Sequence, residues 1–447
     1  MKIETWSAER LSPYARELKK HEKALPKMVA ALQQWGFRIP ILVSSAGEII
    51  DGKLRYLAAV QLGMQEIPVV VADDLTPTQI RTFRLLVNRS ATWADWNDES
   101  LRIEMAELRL ALADLSVTGF DDRELDAILL DAVASGEKDP DSVPEFREPP
   151  VCQVGQVWQL GMHRLMCGDS TQPADVATLM SGEHADMVWT DPPYNVDYSS
   201  PAGKIKNDKM SPAEFLKFLY DLMNSAYDVL VDGGAIYVAH SEAGDGMAFR
   251  SAFQNVGFKL SCCLIWKKNQ LVMGRGDYHW QHEPILYGWK PTGKHVWYGD
   301  RKQRSFFEHF AGSVVQKVSE NVWQVASGDS ILRISGKDLV VEDLASSILS
   351  EPKPKKSELH PTMKPVALVE RMLANSSLRG GLVVDLCGGS GTTLIAAERL
   401  GRRCNMMEYD PRYADVIIRR WQEQTGKVAV LAGSGAPYPQ EVEHDAE

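Results

Sequence analysis

Val383-Val384-Asp385-Leu386-Cys387-Gly388-Gly389-Ser390-Gly391-Thr392-Thr393 is the stretch that decides the fold. An apolar run ends on an acid, a glycine-rich turn follows, and the turn opens a helix. Glycines at such a turn let a ligand come close to the backbone. The spacing is not the G-x-G-x-x-G of a dinucleotide site. Twenty-three residues after Asp385 comes Glu408, at the end of the next apolar run, where a carboxylate can accept hydrogen bonds from ribose hydroxyls. Asp410-Pro411 then reads as the N-cap and first residue of another helix.

Working outward, strand and helix alternate from Val151 to about Ala432, the pattern of an α/β sheet. Strands are expected at 185–190, 235–239, 262–266, 382–386 and 404–407. Helices are expected at 212–230, 365–376, 392–400 and 411–424. The residues after Leu431 are small, polar and acidic, so 432–447 is expected to be a disordered tail. Upstream, 1–97 reads as a small α/β unit, with strands at 39–43 and 67–71 and a helix at 54–62. Residues 98–134 read as a helical connector broken at Thr118-Gly119-Phe120, and 135–150 as a linker.

The chain has 447 residues, enough for two or three domains, with ordinary apolar (44%) and charged (24%) content for a soluble protein. A net charge of −11 argues against a protein that simply coats nucleic acid, but not against an enzyme with a local basic cleft. No apolar run is long enough to span a bilayer, the first residues are charged, and a cytosolic protein is expected. Six cysteines without C-x-x-C spacing give no reason to expect a zinc site or disulfide framework.

The sharpest chemical signal is Asp191-Pro192-Pro193-Tyr194-Asn195, directly after the apolar Met187-Val188-Trp189. Ligand loops of doubly wound sheets sit at the carboxyl ends of strands. An exocyclic base amine is a poor nucleophile because its lone pair is delocalised into the ring. An acceptor bonded to its N–H groups favours a more tetrahedral nitrogen that can attack a methyl sulfonium. Asp191 can offer that carboxylate, the stiff Pro192-Pro193 pair can present the Pro192 carbonyl, and Tyr194 a flat face for an unstacked base. Two smaller elements complete the set. His360-Pro361-Thr362-Met363-Lys364-Pro365 precedes a helix and could hold a cofactor carboxylate. Gly168-Asp169-Ser170 could place Asp169 near an adenine amine.

This ordered set resembles the β group of DNA amino-methyltransferases, over roughly Val151 to Gly426. Asp232-Gly233-Gly234, Trp266-Lys267-Lys268-Asn269 and His282-Glu283-Pro284 add to the likeness. The resemblance implies a Rossmann-like, mostly parallel sheet with one antiparallel strand over 151–431. It implies S-adenosylmethionine bound by Asp169, Lys364, Asp385, Cys387, Gly388, Gly389, Ser390, Gly391, Thr392, Glu408, Tyr409 and Asp410. It implies catalysis by Asp191, Pro192, Pro193 and Tyr194 on double-stranded DNA. Asp at position 191 tilts the choice toward adenine N6, with cytosine N4 as the alternative. No Pro-Cys pair exists for a C5-cytosine enzyme. RNA or a protein glutamine is a weaker substrate alternative. A homodimer and a restriction partner are left open.

In that group DNA is read between the catalytic and cofactor halves, here 289–359. Lys290, Lys294, Arg301, Lys302 and Arg304 lie there among Trp297, Tyr298, Phe306 and Phe307, a pattern suited to phosphate contact and base stacking; a solvated basic face is the alternative. A hairpin is expected from 331–334 and 339–341 around Ser335-Gly336-Lys337. The first unit resembles the ParB-like nuclease/sulfiredoxin superfamily through Gly52 and Arg55 in Asp51-Gly52-Lys53-Leu54-Arg55, although Leu54 departs from the polar residue common there. A rival of another class is therefore a ParB-like DNA-binding or segregation factor.

Overall fold

The computed structural model describes residues 2–15, 21–90, 93–94, 96–111, 115–130, 138–196, 199–200, 203–204, 209–241, 246–272, 280–299, 303, 305–307, 314–319, 322–327, 330–335 and 363–439. The chain divides into two compact units, Met1–Glu137 and Lys138–Glu447.

In the first unit, β1 (Ile3–Ser7), α1 (Leu25–Trp35), β2 (Ile41–Val43), β3 (Ile49–Asp51), α2 (Lys53–Gln61) and β4 (Glu66–Val71) form a four-stranded sheet, order β1-β4-β2-β3, with its helices. Ile41, Val43, Ile67 and Val69 are fully buried against Ala58 and Ala59 of α2. Helix α3 (Pro77–Ser90) follows. Then α4 (Asp98–Leu110) and α5 (Asp122–Leu129) share a separate small core of Met105, Leu115, Leu125 and Leu129. Asp121 and Glu124 make a reciprocal capping box at the start of α5.

The second unit is built on β5 (Val157–Leu160), β6 (His163–Cys167), α6 (Pro173–Met180), β7 (Ala185–Thr190), a two-strand ribbon of β8 (Ser199–Ser200) and β9 (Gly203–Lys204), α7 (Pro212–Val229), β10 (Leu230–Ala239), α8 (Gly246–Val256), β11 (Lys259–Val272), β12 (Trp280–Trp289) and β13 (Phe306–Phe307). After these come β14 (Val314–Ser319), β15 (Val322–Ser327), β16 (Ser330–Ser335), α9 (Val366–Ser376), β17 (Leu382–Asp385), α10 (Thr392–Arg399), β18 (Arg403–Glu408), α11 (Pro411–Thr425) and β19 (Val430–Leu431). Ten strands make one sheet in the order β13-β11-β12-β10-β7-β17-β18-β6-β5-β19. Strands β10, β7, β17, β18 and β6 are parallel. β12 runs against both its neighbours, as the family resemblance implies, and β5 at the far side is a second reversed strand.

Alternation along the central strands divides the core in two. Met187, Trp189, Tyr237, Val383 and Met406 face α9, α10 and α11, whereas Val188, Ile236, Val238, Val384 and Met407 face α6, α7 and α8. Strands buried on both faces read as apolar runs, which is why 185–190 and 382–385 stand out in the sequence. Their carboxyl ends, at Thr190, Ala239, Asp385 and Glu408, define one edge of the sheet.

Three expectations are corrected. Residues 138–150, expected as a linker, lie inside the second unit: Arg419 Nη1 donates to the Glu145 carbonyl (2.7 Å) and Phe146 packs edge-on to Tyr413 (5.0 Å). Of the expected disordered tail, residues 432–439 are ordered. Tyr438 is 1% exposed, donates its N–H to the Ala429 carbonyl and meets Trp158 edge-on. Strand β11 runs from Lys259 to Val272, beyond the expected 262–266, because the unforeseen β12 pairs with its length. Of the expected hairpin, 331–334 lies in β16, which pairs with the upstream β15 in a three-stranded sheet, and 339–341 lies outside the described residues. Among the described residues no helix is long and apolar enough to cross a membrane.

Candidate active site

Asp191 leaves the end of β7 at the carboxyl edge of the sheet. Its Oδ1 accepts a hydrogen bond from the Tyr194 hydroxyl (2.7 Å), and its Oδ2 accepts one from Lys364 Nζ (2.7 Å). Lys364 also donates to the Tyr194 hydroxyl (2.9 Å) and to Glu283 Oε2 (3.0 Å). Glu283 lies on β12 and pairs through its other oxygen with Lys268 of β11. Two carboxylates and two ammoniums therefore balance in a buried cluster, in which Lys364 is 3% and Glu283 7% exposed.

The titration shifts follow from this arrangement. Burial alone would lower the pKa of Lys364, but Asp191 and Glu283 outweigh it and hold the ammonium above the usual lysine range. Burial would raise Glu283, but Lys364 and Lys268 bring it below the usual carboxylate range. Burial, and then the charges of Asp191 and Glu283, push the Tyr194 hydroxyl well up, so it stays neutral and donates. The Tyr194 ring meets Phe249 edge-on at 6.2 Å.

The glycine loop forms as its sequence suggests. Gly391 sits at φ +85° and opens α10, and a Cβ there would crowd Ile417. Gly389 is also left-handed (φ +51°), with open space where a Cβ would stand, so its backbone face is free for a ligand. Asp385 accepts from Cys387 N (3.0 Å) and Thr393 Oγ1 (2.6 Å). Glu408 accepts from Gly389 N (2.8 Å) and Asp410 N (2.9 Å). Burial pushes Asp385 up to about 8 and Glu408 up to about 7. Asp169 follows β6, alongside the end of β18, where Gly168 N donates to the Glu408 carbonyl (3.0 Å). Its Oδ1 takes the N–H and hydroxyl of Thr171. Asp169, Asp385, Gly389 and Glu408 thus gather on one edge. Tyr409, 44% exposed, lies at the rim.

Several predicted residues take other parts. The three ammonium donors of Lys364 go to Asp191, Tyr194 and Glu283, which leaves none for a cofactor carboxylate. Asp410 caps α11 and pairs with Arg412. The Ser390 carbonyl and hydroxyl and the Thr392 hydroxyl face Arg420 of α11. Gly388 packs against Met406, and the partly buried Cys387 packs against the core, with its thiol pKa pushed up by burial. His360, Pro361 and Thr362 lie outside the described residues.

The basic candidates are separated by strand direction. β12 pairs Ile285 with Ala239 near the catalytic edge but Trp289 with Ala235, so it runs away from Asp191. Lys290 and Lys294 therefore lie at the opposite end of the sheet, beside Gly233. A Cβ at Gly233 would strike the Lys294 carbonyl at 2.0 Å. The Lys290 ammonium is held by the carbonyls of Tyr227 (3.1 Å) and Leu230 (3.0 Å) at the end of α7 and has a structural role. The chain returns at β13, where Phe307 pairs with Trp266, level with Glu283. Arg301, Lys302 and Arg304, just upstream, lie outside the described residues. In the first unit, Gly52 (φ +96°) starts α2 and Arg55 Nη2 pairs with Asp51 at 3.0 Å.

Sequence reasoning assigned no role to Glu283 or Lys268. A lone acid inside the apolar strand Glu283-Pro284-Ile285-Leu286-Tyr287 was the available signal, since a charge there needs a buried partner.

Residues 99–154 match the ParB-methyltransferase HTH domain. The type II methyltransferase M2.DpnII of Streptococcus pneumoniae is 25% identical over 262 residues, 55% of this chain and 85% of that protein. The DNA adenine methyltransferase YhdJ of Escherichia coli is 25% identical over 253 residues, 53% and 76% of the two chains. Among solved structures, the M1.HpyAVI–SAM complex is similar at 18% identity with a TM-score of 0.39, covering 57% of this chain and 97% of that one. The DNA methylase family of N6 and N4 enzymes matches residues 185–419, more than half of the chain, and the chain belongs to that family.

Proposed function

We propose that this DNA methylase methylates the exocyclic N6 amine of adenine, at a specific sequence, through Asp191. The observation that carries this reading is the Asp191 carboxylate at the catalytic edge, buttressed by Lys364 and Tyr194. When bound, S-adenosylmethionine supplies a methyl group on a sulfonium, an electrophile. Asp385 and Glu408 suit its hydroxyl donors, and the open face of Gly389 lets it approach the backbone. Asp191 Oδ1 gives up the Tyr194 hydroxyl and accepts an amine N–H, while the Pro192 carbonyl accepts the other. The amine lone pair is thereby turned toward the methyl group, and holding the two in line supplies much of the rate. The Tyr194 ring stacks on the flipped base. M2.DpnII and YhdJ, similar over 55% and 53% of the chain, fit this reading, and YhdJ is itself an adenine methyltransferase. Cytosine N4 is the second reading, because the family holds both. The test is methylation of DNA with labelled cofactor, followed by digestion to nucleosides. N6-methyladenine supports the proposal, and N4-methylcytosine replaces it.

Cofactor affinity is expected to depend on pH. In the cofactor-free protein Asp385 and Glu408 are raised above the ordinary carboxylate value of about 4, so the folded state holds protons that the unfolded chain releases. These groups therefore withdraw stability as pH climbs from about 4 to about 8. A ligand offering hydroxyl donors favours the ionised forms, so its binding tightens and releases protons between pH 6 and 8, roughly the range of the two shifted values. Titration calorimetry in buffers of different ionisation enthalpy reads that release. Glu408→Gln should flatten the profile, and an unchanged profile removes Glu408 from the site.

DNA entry on the side of the sheet where β13 returns is the reading supported by the basic residues that precede β13 in sequence. Arg301, Lys302 and Arg304, with Lys294 as an internal control at the other end, supply the test. Each of the three neutralisations should reduce the slope of log affinity against log salt by about 1, and Lys294→Ala should leave it alone.

A further inference from the structure

Lys138 to Pro150 contains no helix or strand, yet it is bonded to α11 and to the start of α9. Arg420 of α11 is fully buried. Its Nη1 donates to the Ser390 carbonyl (2.9 Å), with Ser390 Oγ (3.3 Å) and Thr392 Oγ1 (3.4 Å) beside it, and its Nη2 donates to the Pro140 carbonyl (2.7 Å). One residue on, Asp141 Oδ1 accepts the Val366 N–H (2.9 Å). Val366 is the first residue of α9, whose own N-cap, Pro365, makes no side-chain cap bond. Asp141 therefore caps α9 from a distant part of the chain, two residues after Lys364. Lys138 Nζ on the Glu423 carbonyl (3.0 Å) and Arg419 on the Glu145 carbonyl (2.7 Å) hold the same segment along α11. In sequence the segment belongs to the ParB-methyltransferase HTH match, 99–154, whereas in structure it belongs to the methylase unit.

We propose that this segment is a clasp that completes the methylase site, with Arg420 positioning the cofactor loop Ser390–Thr392 and Asp141 positioning the turn that carries Lys364. The proposal rests on the cofactor reading of the glycine loop given above. Neither residue needs to touch cofactor or base, so both are positioning residues. The rigid guanidinium fork bonds two chain segments at once, which a single ammonium cannot do with the same geometry. A catalytic ammonium displaced by an ångström costs rate even when every catalytic group remains present. The two halves of the clasp should therefore separate kinetically: Arg420 governs cofactor affinity, and Asp141 governs turnover.

The experiment uses the full chain, with S-adenosylhomocysteine as the calorimetric probe and methylation at saturating cofactor as the rate. Arg420→Lys keeps the buried charge and is expected to weaken probe binding about tenfold while kcat stays within about twofold. Asp141→Ala is expected to lower kcat about tenfold with little change in probe affinity, and Asp141→Asn to restore it, because the amide oxygen still accepts from Val366. Unchanged affinity in Arg420→Lys overturns the first half. Unchanged kcat in Asp141→Ala, or an Asn variant as impaired as the Ala variant, overturns the second. If Asp141→Ala does not fold, Asp141→Asn at the wild-type rate and Arg420→Lys with weakened binding support the clasp, and the opposite results reject it. Absence of probe binding to the unaltered chain would instead bring down the cofactor reading, and the clasp with it.

Discussion

Asp191→Asn will lower single-turnover methyl transfer by about two to four orders of magnitude while leaving cofactor affinity nearly unchanged. Asn keeps the volume of Asp and one acceptor oxygen. That oxygen will turn to the Lys364 ammonium, the strongest donor beside it, which leaves the NH2 group where the Tyr194 hydroxyl and the target amine come. Donor then faces donor, and the bond that reshapes the amine lone pair in the transition state is lost. Asp385 and Glu408 stand on β17 and β18 and keep their own partners, so the cofactor half is untouched. Rapid-quench kinetics with labelled cofactor, together with calorimetry, separate the two effects. Tyr194 substitutions will behave differently: Phe keeps the stacking face and should retain much of the rate, and Ala should cost about 1–3 kcal/mol in capture of the base. Methyl transfer at the normal rate by Asp191→Asn would show that this loop is not the catalytic one.

How much of this was legible in the sequence depends on how local each feature is. The strand before Asp191, the glycine turn after Asp385 and the cap at Asp410 are set by runs of a few residues, and they lie where the sequence places them. The direction of β12 is not local. Lys290 reads as basic among aromatics, but the reversed strand carries it to the end of the sheet away from Asp191, where it closes α7. The partners of Lys364 are equally distant in sequence: Asp191 is 173 residues away, and Glu283 arrives only because β12 inserts beside β10. Residues 138–150 look like a linker because their Pro and acidic content describes a segment without its own core. They are ordered by bonds to α11 and α9 that no composition reveals. The same holds for Tyr438, whose burial against Trp158 depends on the short strand β19 folding back on β5.

Lys364→Met will reduce methyl transfer by about two to three orders of magnitude, and it will add a rise of kcat with pH at saturating cofactor, separate from the pH dependence of cofactor affinity set by Asp385 and Glu408. Methionine fills the space of the lysine stem, so packing around the site is largely kept. The charge balance is not. Asp191 and Glu283 lose the ammonium that lies 2.7 Å from one and 3.0 Å from the other, and only Lys268 remains, on the far side of Glu283. Two neighbouring carboxylates in a buried pocket resist being ionised together, and the pair takes up a proton. Protonation removes an acceptor that the reaction uses, so the residual rate rises with pH until the pair is fully ionised, then levels. A role confined to gripping a cofactor carboxylate predicts otherwise: cofactor affinity falls, kcat at saturating cofactor survives, and the pH profile keeps its shape. Measured kcat and cofactor affinity across pH 6 to 9 decide between the two. A variant with weak cofactor binding, near-normal kcat and a flat profile would return Lys364 to the cofactor and leave Asp191 to be held by Tyr194 alone.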